Sequence, residues 1–232
     1  MRQRYRLVSH DWESSVNLTD RAGSDRSDNY RRSMPTDAST SSRVRASDEL
    51  RHAALEQFST VGFAASSLQQ IADHAGYSKS SVLYHYSSKE ALLEAAIGPA
   101  IDALEGLLGS FVASGRSAAA RAVFIEQFVD FLLGNRLAVH TFVNQAQSLR
   151  GIPVIERANA AIRGLADSIC DPGAPFSEQM RFSVALAGAT YTLVAGATFL
   201  EERQQVDDDD VRNALITVLS ELLLPADGRP TR

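Results

Sequence analysis

Apolar positions recur at three- and four-residue spacing from Leu50 onward. Leu50, Ala53, Ala54, Phe58 and Val61 mark one face of a helix opening near Ser47, and Gly62 ends it as a residue at ease in left-handed backbone. Ser66-x-x-Gln69 has the spacing of a capping box, so a short helix should open there, bury Leu68, Ile71, Ala72 and Ala75, and stop at Gly76. Ser78 then caps a third helix bearing Val82 and Leu83. Ser87-x-x-Glu90 is a second box, opening a longer helix from about Ser88 through Leu92, Leu93, Ile97 and Leu104.

The same period continues beyond residue 110. It predicts helices over Arg116–Leu133, Arg136–Leu149, Val154–Cys170, about Ser177–Glu202 and Asp208–Leu223. The run Asp171-Pro172-Gly173-Ala174-Pro175 is a loop, and Pro225 ends the last helix. No segment alternates cleanly and no repeat of fixed period is present, so the expected class is all-α.

Composition narrows the picture. With 232 residues, 44% hydrophobic and 22% charged, the chain reads as an ordinary soluble globular protein. A net charge of −5 is wrong for a protein that coats nucleic acid non-specifically, so any nucleic-acid contact must come from a local patch. The single Cys170 leaves no intramolecular disulfide or cysteine-based zinc site and suits a reducing cytoplasm, the expected location. The Met1–Arg6 stretch has no apolar run behind its arginines, so it is not read as a secretory signal. Phe182 to Leu200 carries no charge, but it is rich in Ala, Gly, Thr and Ser; a helix buried on two sides accounts for it better than a membrane span. Residues 1–44 are polar and aperiodic and read as a disordered extension. Either residues 1–33 lie upstream of a start at Met34, or the extension is an arm whose arginines reach nucleic acid.

Three short helices with a Gly-bounded turn between the second and third form a helix-turn-helix arrangement, whose third helix enters the major groove of DNA. The run from Ala65 to Leu93 resembles the TetR (tetracycline repressor) family signature. It has a Ser pair, Ile71-Ala72, Gly76-x-Ser78, the aromatic cluster Tyr84-His85-Tyr86, and Ser88-Lys89-Glu90-x-Leu92. Val82-Leu83 stands where the family usually has Leu-Tyr, so the tyrosine comes one position later, as Tyr84. No acidic side chain lies between Asp73 and Glu90, while Lys79, Lys89, His74 and His85 do. On this reading Lys79, Ser80 and Ser81 are candidates for base edges, and Ser66, Ser67, Tyr84, His85 and Lys89 for phosphates. Ser66 and Ser78 serve as caps with or without DNA, and Tyr84 and Tyr86 have a packing role as the alternative.

The resemblance implies an architecture of an extension (1–44), a DNA-binding domain (45–97) and a helical ligand-binding and dimerisation domain (98–232). It implies a regulator, most often a repressor, released from a palindromic double-stranded operator by a small-molecule effector. It also implies a homodimer through the last two helices. There, small residues from Ala187 to Thr198 would meet an apolar stripe of Val211, Leu215, Val218, Leu219 and Leu222. Candidates to line the effector pocket are Phe124, Phe128, Phe131, His140, Phe142, Asn144, Gln147 and Tyr191, each with core packing as its alternative. Asp207–Asp210 are read as the acidic opening of the last helix, not as a metal site. No catalytic constellation, cofactor motif or phosphate-binding loop is found, and an enzyme is not expected. A helical dimer working through a protein partner is the remaining rival, and nothing in the residues separates activator from repressor.

Overall fold

The computed structural model describes residues 38–115, 117–145, 148–169, 173–194 and 207–224. Among them the regular structure is all helical: α1 (Ala38–Thr60), α2 (Leu68–Ala75), α3 (Lys79–His85), α4 (Lys89–Ser114), α5 (Ala118–Gly134), α6 (Arg136–Gln145), α7 (Pro153–Ile169), α8 (Phe176–Val194) and α9 (Asp208–Leu223). The predicted ends at Cys170 and beyond Val194 lie outside the described residues, as does Pro225. Helix α1 begins at Ala38, so residues 38–44, expected in a disordered extension, are helical; residues 41–45 are nonetheless exposed. Hydrophobic periodicity missed this segment because it has no buried face to mark it.

Local chemistry sets the helix ends. Ser67, not Ser66, caps α2: its Oγ accepts from the Gln70 N–H at 3.2 Å while its own N–H donates to Gln70 Oε1 at 2.8 Å. Likewise Ser88, not Ser87, caps α4, with Oγ accepting from the Ala91 N–H at 3.1 Å. Ser78 caps α3 as expected, accepting from the Ser81 N–H. Gly76 ends α2 in the left-handed region at φ 75°, where its N–H reaches the carbonyls of Ala72 and Asp73. Gly62 needs the same freedom at φ 94°. A Cβ there would also lie 3.1 Å from Gln145 Oε1, so the end of α6 closes tightly on the α1–α2 turn.

Two apolar cores hold the helices. The first joins Leu50, Ala54 and Phe58 of α1, Ile71 of α2, Val82 of α3 and Leu92, Leu93 and Ile97 of α4. Leu149 of the turn before α7, with Val154 and Ile155 of its first turn, enters the same cluster. The boundary expected at residue 97 therefore falls inside one helix and one core, because Ile97 and Ile101 pack with the helix-turn-helix unit and the body together. Val61 leaves the predicted α1 face and is 46% exposed, since it follows the last helical turn. The second core gathers Leu104, Leu107 and Phe111 of α4, Phe124, Phe128 and Val129 of α5, Phe182 and Ala185 of α8, and Leu219 and Leu223 of α9. Each fully buried Leu, Ile or Phe contributes about 1.5–3 kcal/mol relative to exposure. Helix α4 thus runs through both cores, and Pro99 lies within it, removing one backbone donor near the junction.

Candidate functional site

Lys79 and Ser80, at the start of α3, are exposed, and Ser81 is half-buried. Ser78 Oγ lies 2.9 Å from Ser80 Oγ, so the cap and its neighbour form a small hydroxyl cluster there. Val82 points into the core and Leu83 is 45% exposed. Tyr84 is 66% exposed, and His85 lies edge-on to it with ring centroids 5.3 Å apart. Tyr86 is buried instead, its hydroxyl 2.6 Å from Ser47 Oγ, which ties the end of α3 to α1. The two tyrosines therefore divide the roles that the sequence left open between them: Tyr86 packs and Tyr84 faces out.

Two members of the predicted phosphate set sit elsewhere. Ser66 is buried and its hydroxyl donates to the Gly62 carbonyl at 2.6 Å. Ser67 holds the exposed cap position instead. Lys89 is turned inward. Its Nζ donates to the carbonyls of Phe63 at 2.6 Å and Ser66 at 2.9 Å, and stands 4.4 Å from the centroid of the Phe63 ring. The ammonium closes the carbonyl-rich α1–α2 turn, a requirement invisible in linear sequence. Conversely, Arg43 was not singled out among the arginines of the extension. Its guanidinium stacks 5.6 Å from the Tyr84 ring centroid, bringing a cation from the first turns of α1 beside the exposed tyrosine. Its only sequence signal was an arginine-rich lead-in assigned to the tail.

Three carboxylates of the unit, Glu49, Glu56 and Asp73, have partners within it. Tyr77 donates its phenol to Glu49 Oε2 at 2.5 Å, and that bond to a carboxylate holds the phenol pKa above its ordinary value. Glu56 Oε2 lies 2.7 Å from His74 Nε2. Asp73 accepts from Gln69 at 2.7 Å. Lys79 and Arg43 remain exposed at the surface, beside hydroxyls and an aromatic ring respectively.

A second feature lies in the body. A cavity of about 870 Å³ is walled by α4, α5, α6, α7 and α8. Phe128, Phe131, Phe142 and Tyr191 line it as the sequence suggested. Phe124 does not: it packs between Phe111, 4.7 Å away, and Phe128, 5.7 Å away. Nor do His140 and Asn144 line it; Asn144 is exposed and the His140 Nδ1 is buried without a partner. Helical spacing alone gives no indication of which side of a short helix such as α6 faces a void. Gln147 lies outside the described residues. Ile97, Ala100, Ile101 and Leu104 of α4 also line the cavity, so it adjoins the helix that passes through both cores.

On α8 and α9, Val184, Tyr191, Val218 and Leu222 are all at least 40% exposed. Leu219, expected in the same stripe, is instead 1% exposed within the second core, and Val211 and Leu215 are half-buried. Among the described residues no helix is long and apolar enough to cross a membrane.

Comparison with known proteins agrees with this geometry. Residues 50–96 match the family model described as bacterial regulatory proteins, tetR family. Over 50 residues the chain is 48% identical to the HTH-type transcriptional regulator RutR of Escherichia coli K12, a match covering 22% of this chain and 24% of the relative. The chain thus spans about a quarter of the length of the curated relatives it matches. The fold is shared more widely. The ketosteroid transcriptional regulator KstR2 of Mycobacterium tuberculosis superposes with a TM-score of 0.58 at 15% identity, covering 78% of this chain and 95% of that one. A TetR-family transcriptional regulator from Bordetella parapertussis 12822 gives 0.57 at 16% identity, over 75% and 93%. Residues 50–96 thus match the helix-turn-helix unit of the tetR family of bacterial regulatory proteins, and the all-helical body beyond them shares its fold with solved regulators.

Proposed function

We propose that this protein is a DNA-binding transcriptional regulator, acting as a repressor that a small-molecule effector releases from a palindromic operator. The observation that carries the reading is the outer surface of α3 and its surroundings. Lys79, Ser80 and Tyr84 are exposed and Arg43 lies against Tyr84, on a unit matched to the TetR-type helix-turn-helix. Lys79 suits guanine O6 and N7, Ser80 and Ser81 are permissive readers, and Ser67, Tyr84, His85 and Arg43 hold phosphates. Lys89 and Ser66 support the frame without touching DNA.

A second copy of the chain completes the operator-binding form. Val184 and Tyr191 of α8 with Val218 and Leu222 of α9 offer the exposed apolar surface for it. Two recognition helices roughly 34–36 Å apart would then read half-sites one helical turn apart. The cavity is the effector site. Its α4 wall continues into the first core, so a ligand that prefers one packing of α4 shifts the dimer between DNA-competent and DNA-incompetent states by its differential affinity.

Selection of binding sites from a random duplex library tests the reading. Enrichment of an inverted repeat with half-sites roughly 10 base pairs apart supports it. Enrichment of nothing above background by folded, dimeric protein would move the partner-binding alternative ahead.

A further inference from the structure

The effector cavity bears a chemical signature that narrows its ligand, an inference that rests on the effector reading above and deepens it. Among the described lining residues none is charged. Among these residues the walls from α4, α5, α6 and α7 are apolar, and the polar ones come from α8: Gln179, Ser183, Thr190 and Tyr191. Their hydrogen-bond state is informative. Ser183 donates its hydroxyl to the Gln179 carbonyl at 3.0 Å, and Thr190 donates to the Leu186 carbonyl at 2.8 Å. Gln179 directs its amide N–H to the Ala174 carbonyl at 3.2 Å. With their hydroxyl protons engaged, Ser183 and Thr190 offer oxygen lone pairs, as does Gln179 Oε1, while the Tyr191 phenol can accept or donate.

Arg121 does not supply a cation to the cavity wall. Arg121 stacks 5.2 Å from the Phe182 ring centroid, and Phe182 lines the cavity while Arg121 does not. Arg121 is also paired with Glu178 at 3.9 Å, so its charge is opposed by a carboxylate outside the lining. An anion in this cavity would lose hydration with no charged partner among the described lining residues, which costs several kcal/mol.

We propose that the cavity binds an uncharged, largely apolar molecule that presents a hydrogen-bond donor, such as a hydroxyl, to the α8 wall. The volume of about 870 Å³ suits a molecule of drug size.

Displacement of the neutral dye Nile red from the full-length protein by a matched series tests the assignment. The series is dodecan-1-ol, its methyl ether and dodecanoate. The alcohol should bind most tightly and dodecanoate ~10-fold or more weakly. Ser183→Arg places a cation in the polar wall and should reverse the order of alcohol and carboxylate. Ala187→Trp should fill the cavity and abolish dye binding, with circular dichroism verifying that the helices remain. Equal or tighter binding of dodecanoate by the wild type would overturn the ligand class. Unchanged dye and alcohol binding by Ala187→Trp would overturn the location, and so would absent binding by a wild type that still shifts operator DNA. Mobility shift in the presence of dodecan-1-ol separates the two readings: binding as predicted without release of DNA upholds the ligand class and removes the effector role.

Discussion

Lys79 and Lys89 carry the same ammonium group into opposite surroundings. Lys79 is exposed at the start of α3, whereas Lys89 is satisfied by two carbonyls of the α1–α2 turn and the Phe63 face. Lys89→Met should therefore destabilise the protein by about 1–2 kcal/mol in urea unfolding while leaving the salt dependence of DNA binding unchanged. A reduced salt slope with full stability would instead return Lys89 to the phosphates. Serine doublets show why such assignments were only partly legible. At Ser66-Ser67 and Ser87-Ser88 the capping chemistry was readable, but the second serine holds the cap in both places. Ser66 is excluded because its hydroxyl is buried against Gly62, a tertiary fact. Ser67→Ala should cost about 1 kcal/mol, measured by thermal unfolding.

Pro99 deprives α4 of a donor beside Ile97 and Ile101, which belong to the first core and also line the cavity. Pro99→Ala restores that donor and should raise stability by about 1–3 kcal/mol, read from urea midpoints at constant slope. Helices α5 and α9 are joined by a fork in which Arg212 donates Nε and Nη2 to the two carboxylate oxygens of Asp130 at 2.5 and 2.9 Å. That bond holds the Asp130 carboxyl below the ordinary carboxylate range. A depressed folded pKa stabilises the fold above the unfolded value of about 4 and loses its contribution as pH falls through the folded value. Asp130→Asn should thus lower stability by less than about 1 kcal/mol at pH 7, because both groups are largely solvated, and the difference should vanish in strong acid. Helix positions were legible because each body helix has one periodic apolar face; the start of α1 was not, since residues 41–45 bury nothing.

At the scale of the molecule, the class and the helix-turn-helix were readable from sequence, because capping and periodicity are local. The cavity was readable only in part. Phe128, Phe131, Phe142 and Tyr191 line it, but Phe124 belongs to a ring stack that exists only once α4 and α5 have packed. The same holds for Leu219, whose inward turn separates it from exposed Val218 and Leu222. Val218→Glu should place a charge in the apolar face proposed to meet a second copy. Analytical ultracentrifugation should then show monomer, with operator affinity lowered ~100-fold or more as the second half-site is lost. A dimer that persists in this variant and in Val184→Glu would remove α8 and α9 from the interface.

The central claim is that α3 reads DNA sequence, and one titration tests it most directly. Wild-type and Lys79→Ala proteins are each bound to the intergenic DNA upstream of the protein's own gene and to a scrambled duplex, across a salt series. The account predicts a specific wild-type complex that survives at moderate salt, and in Lys79→Ala a loss of about 1–3 kcal/mol that falls on the specific duplex alone. Equal, weak and fully salt-sensitive binding of both duplexes by both proteins would contradict it, leaving a helix-turn-helix that touches DNA by charge and does not read it.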